Sequence, residues 1–117
     1  MGDFERRVEQ TTEALVHLPR GELRRLERAL RQLKPEQVRF VRDAMERGLI
    51  EGSLPVREHQ LFEYVFERWW THSLSTKVAV ITRVVELAES RPWPGVTLPG
   101  LATAGATVDA GPVATLA

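Results

Sequence analysis

Few side chains in this chain could hold a metal or move a proton. There is no cysteine, so disulfides and thiolate chemistry are excluded. Histidines and carboxylates remain as the protein metal ligands. Glu13 and His17 are four residues apart, as are His59 and Glu63, which puts each pair on one face of a helix. Brought together, the pairs would form a two-histidine, two-carboxylate site. The Glu-x-x-His spacing of ferritin-like bundles is absent, and such neighbours arise readily among 16 acidic residues. No metal site and no cofactor is therefore expected. Nucleophilic chemistry has no better support. His72 stands beside Ser73, but no nucleophile-elbow, phosphate-loop or paired-glycine fingerprint accompanies Ser53, Ser73, Ser75 or Ser90. Ser73 and Ser75 suit helix caps better. The chain reads as non-enzymatic.

A second chemistry is charge recognition. On a helix, Arg20, Arg24, Arg28 and Arg31 stack into a basic stripe about 80° wide. Residues 20–47 carry nine basic and five acidic side chains, a local excess that could face phosphates. Several features favour a plainly solvated face instead. The whole chain has a net charge of zero, so it exerts no long-range pull on nucleic acid or an anionic membrane. Glu22, Glu27, Asp43 and Glu46 are interspersed, and no glycine-containing turn of the helix-turn-helix kind follows the stripe. Arginine outnumbers lysine fourteen to two and asparagine is absent, as GC-rich coding would produce. Nucleic-acid binding or transcription regulation through these four arginines is thus the alternative function.

These side chains must be positioned by helices. The densest element is the stretch 56–70, VREHQLFEYVFERWW, which holds five of the eight aromatic residues. At 100° per residue Leu61, Phe62, Val65, Phe66, Trp69 and Trp70 cover one continuous half of a helix, with Arg57, Gln60, Glu63, Glu67 and Arg68 opposite. Strand alternation would mix charges into both faces. Pro55 suits the first helical position. A narrower stripe, Phe4, Val8, Thr11, Leu15 and Leu18, predicts a peripheral first helix over 4–18 with Asp3 as its cap. Leu18-Pro19-Arg20-Gly21 breaks it. A second helix is predicted over 21–34. A third follows from Pro35 to residue 47, with Gly48 as its C-cap and a loop from 49 to 54. A fifth spans 76–90; its β-branched content competes for a strand over 77–85, but Val78, Ile81, Val84, Val85 and Ala88 keep the 3.6 period. The expectation is an all-α body at residues 1–91, a small five-helix bundle built on a hairpin of helices four and five.

Residues 92–117 differ in kind. They contain one charge, Asp109, with four of the eight glycines and four of the seven prolines. Ordinary disordered tails are charged and poor in aliphatics. This non-helical, uncharged tail carries Val96, Leu98, Leu101, Val108, Val113 and Leu116. It reads as an extended arm that docks on a larger assembly. The expected function is therefore a protein-interaction or assembly role. The helical body would self-associate or bind a protein partner. Phe66, Trp69, Trp70, Trp93, Leu98 and Leu101 would meet the partner. A charged N-terminus without an apolar leader, and no apolar run of bilayer length, make a cytoplasmic location and no membrane partner the expectation.

Overall fold

A computed structural model describes residues 2–89 and 91–94, and over these the chain forms five α-helices and no strand. They are α1 (Asp3–Val16), α2 (Arg20–Ala29), α3 (Pro35–Glu51), α4 (Val56–Glu67) and α5 (Leu74–Leu87), with a 3-10 turn at Trp69–Thr71 between α4 and α5. The all-α class and the number of helices are as the periodicity predicts. The centre of the body is not. The expected hairpin of α4 and α5 is replaced by α5 packed against α1 and α3, with α4 on α3. The reason lies in the α5 sequence. Val78, Val80, Ile81 and Val84 are wholly buried, a face too broad for one neighbour to cover. With both flanks covered, β-branched residues that would favour a strand are stable in a helix. Ser73 caps α5, its hydroxyl accepting from the Thr76 amide at 3.2 Å.

The narrow stripe of α1 is used within the chain. Phe4 packs edge-on against Phe62 of α4 at 5.5 Å. Arg7 donates two bonds of 3.0 Å to Glu86, and Thr12 donates to Ser75 at 2.8 Å, so α1 runs antiparallel to α5. Arg83 of α5 donates to Glu58 of α4 at 3.0 and 3.2 Å, and to the Ser53 carbonyl at 2.9 Å.

Several boundaries move from their predicted places: α1 ends at Val16 rather than 18, and α5 is Leu74–Leu87 rather than 76–90. Gly2, not Asp3, occupies the cap position of α1, and no side chain caps it. α2 ends at Ala29 rather than residue 34, because Leu30 turns out of the helix and is wholly buried. α3 continues past Gly48, the predicted cap, to Glu51; Gly52, at φ +83°, is the left-handed terminator. Gly48 is instead needed inside the helix, where Leu54 comes back against it. The body also extends past residue 91. Trp93 packs edge-on against Phe40 at 5.6 Å, Arg91 lies over the same ring at 4.7 Å, and Gln37 donates to the Pro94 carbonyl at 3.1 Å. The remainder of the expected arm, 95–117, lies outside the described residues.

Candidate functional site

The aromatic end of α4 divides its residues between core and surface. The helix stops at Glu67 and Arg68 leaves helical geometry, so the next residues turn in a tighter 3-10 step. Trp69 stays inward, and Trp70 turns outward. Trp69 is 5% exposed; its indole N–H donates to the Leu30 carbonyl at 2.7 Å, and Phe66 stacks on it at 5.4 Å. One buried hydrogen bond thus ties the break after α2 to the break after α4. Lys77 lies over the Trp69 ring at 5.7 Å. Burial, and secondarily the charge of Arg31, hold the Lys77 ammonium below its ordinary value. Trp70, by contrast, is 74% exposed. Tyr64 is also exposed, its ring against His72 at 5.9 Å and beneath the Arg68 guanidinium at 5.9 Å.

Of the apolar residues expected to meet a partner, Trp70 is free to do so. Phe66 is half-buried. Trp69 and Trp93 belong to the core, since Trp69 stays on the buried side with Phe62 and Val65 and Trp93 closes over α3. Leu98 and Leu101 lie outside the described residues. Leu61, predicted inward, is partly exposed and lines an open groove of about 1450 Å³ between α1 and α4. Phe4, Val8 and Val65 share that groove with the Arg7–Glu86 and Arg83–Glu58 pairs and with His72. Each of those four charges already has a partner, so the groove does not present an unneutralised acid–base pair from this set.

The four arginines of the basic stripe are all exposed, Arg20, Arg24 and Arg28 along α2 and Arg31 in the turn after it. Leu26 is buried on the opposite side of α2 and Leu23 half-buried, which fixes the direction of the stripe. Among the described residues none of the four makes an ion pair. The histidine–carboxylate pairs do not converge. His59 Nδ1 lies 3.8 Å from Glu63, and no cluster of three or more potential ligands forms among the described residues. Ser73, beside His72, is used as the cap of α5.

Sequence reasoning passed over Gln37, which is wholly buried. Its Oε1 accepts from the Lys34 amide at 2.8 Å, closing the start of α3, while its Nε2 holds Pro94. The signal was a glutamine at the third position after a proline-led helix start. No described helix is long and apolar enough to cross a membrane. Comparison with protein-family models, curated proteins and solved structures finds no match to the chain.

Proposed function

We propose that this chain is a non-enzymatic interaction protein in which the helical body binds a protein partner, or a second copy of itself, around Trp70. In this reading residues 95–117 serve as an arm that docks on a larger assembly. The observation that carries the proposal is the pair Trp69 and Trp70. One indole is locked into the core by a 2.7 Å hydrogen bond, so the backbone that presents the other is held firmly while its ring stands 74% exposed. Exposing a tryptophan wastes a large apolar area, and rigidly presented tryptophans are prominent among residues that dominate interfaces. A cytosolic setting accompanies the reading. The uncharged composition of 95–117 supports the arm, because apolar residues in a free segment invite aggregation unless a partner covers them.

The test combines sedimentation of the purified chain with cross-linking and co-purification from its native host. It compares the full-length protein, Trp70→Ala and a form ending at Pro94. The expected result is an oligomer or a defined protein partner that Trp70→Ala weakens at least about tenfold, a loss in line with a central interface tryptophan. Removal of 95–117 is expected to release the larger assembly while sparing the Trp70 contact. A monomer whose co-purifying proteins are the same for all three forms would overturn the proposal.

A further inference from the structure

We propose that the outer face of α2, with the turn that follows it, binds the phosphate backbone of a nucleic acid through Arg20, Arg24 and Arg28 on the helix and Arg31 in the turn. This goes beyond the protein-interaction reading and uses none of its residues. Three properties of the face carry it. It is outward and regular: Arg20, Arg24 and Arg28 climb α2 at four-residue steps, about 6 Å each, so the row spans about 12 Å. One strand of a duplex presents a phosphate about every 3.4 Å along its axis, so such a row can meet three or four of them.

The face is also unneutralised. No carboxylate pairs with these arginines among the described residues, and Glu22, one of the two acids on α2, is half-buried. Glu27 remains as the acid beside the row. Binding phosphate therefore breaks no ion pair. Finally, the flanks of the row are polar. Leu23 and Leu26 point into the body, so the face lacks the apolar half by which basic helices enter lipid. A linear polyanion fits it better than a membrane.

The experiment is fluorescence anisotropy of the full-length protein with a labelled random-sequence DNA duplex and, separately, a single-stranded RNA of equal length. The net charge of zero makes it decisive, because a neutral molecule has little global attraction to hide behind. Binding at low salt should weaken with a log–log slope of about −3 for the duplex. Arg24→Glu/Arg28→Glu should lose at least about tenfold in affinity and flatten the slope to about −1. Arg24→Gln/Arg28→Gln should act in the same direction without introducing new charge. Arg39→Glu/Arg42→Glu, exposed on α3, should leave both unchanged. Far-UV circular dichroism checks that each variant keeps its helices. The proposal is overturned if neither nucleic acid binds at low salt. It is also overturned if the α2 and α3 variants lose affinity equally, or if the protein binds phosphatidylserine vesicles in preference to both nucleic acids.

Discussion

Gly48→Ala should destabilise the protein, although propensity alone says the reverse. In an exposed helix interior, alanine in place of glycine gains about 1 kcal/mol. Gly48 lies inside α3 and is buried. A Cβ there would stand 2.9 Å from the Cβ of Leu54 and 3.3 Å from Cδ2 of Leu87. The Leu87 methyl can yield. The Leu54 Cβ cannot do so easily, because it is one bond from the backbone and the Leu54 amide donates to the Gly48 carbonyl at 3.0 Å. Relieving the clash therefore lengthens that hydrogen bond and shifts a side chain that is itself wholly enclosed. Overpacking of this kind costs about 1–3 kcal/mol, and the fixed backbone puts it near the upper end. The net expectation is a loss of about 1–2 kcal/mol, or a fall in Tm of about 5–15 °C for a body of this size. Gly21→Ala supplies the control, since nothing lies within 4 Å of a Cβ built on Gly21 of α2. It should raise Tm by a few degrees. Both are read by thermal unfolding followed at 222 nm. A Gly48→Ala protein as stable as the wild type, beside a stabilised Gly21→Ala, would refute the packing argument at Leu54.

Further predictions concern the buried polar groups and Lys77. Trp69→Phe leaves the Leu30 carbonyl without its donor and should cost about 1–3 kcal/mol in urea unfolding; a loss within error would mean that this hydrogen bond does not hold the two breaks together. Gln37→Leu keeps most of the volume but orphans the Lys34 amide and the Pro94 carbonyl. It should lose about 2–3 kcal/mol, most of which a form ending before Pro94 should not feel twice. Lys77 has a folded-state value below 10.5, so between that value and 10.5 the unfolded chain binds more protons than the folded one. Stability should therefore rise with pH through this alkaline window, and the rise should shrink in Lys77→Met, as measured by unfolding at a series of pH values.

The existence and order of the five helices are legible because each carries a 3.6-residue apolar pattern and the prolines at 19, 35 and 55 punctuate them. What periodicity cannot supply is which faces meet. The α4 face looked half a turn wide, yet Leu61 lies partly in solvent because α1 approaches through Phe4 and leaves a groove on that side. Spacing predicts a glycine terminator at 48, where the glycine instead admits Leu54, and the true terminator is four residues on at Gly52. Both are legitimate uses of a residue without a side chain, and only the tertiary approach of Leu54 separates them. The basic stripe follows from spacing for Arg20, Arg24 and Arg28, whose exposure needs only that the leucines of α2 face the body; Arg31, predicted on the same helix, is exposed in the turn after it. The Trp69–Trp70 division is partly legible, since helical spacing puts Trp69 in line with Phe62 and Trp70 at the edge of the face, where it stands exposed. What spacing does not show is the 3-10 turn itself, or the hydrogen bond from Trp69 to a residue 39 positions away.

The pairing of α1 with α5 also sets a timetable for synthesis. Arg7 and Glu86 are 79 positions apart, so α1 leaves a ribosome well before its main neighbour is made. From the end of α1 to the end of α5 the ribosome needs roughly 4–14 s at ordinary elongation rates. For that interval α1 lacks α5, and a 14-residue helix is only marginally stable alone. The stripe is narrow and flanked by Glu5, Arg6, Glu9 and Glu13, so the waiting segment exposes little apolar surface. Broadening it would gain burial in the finished protein and expose the unfinished one to aggregation.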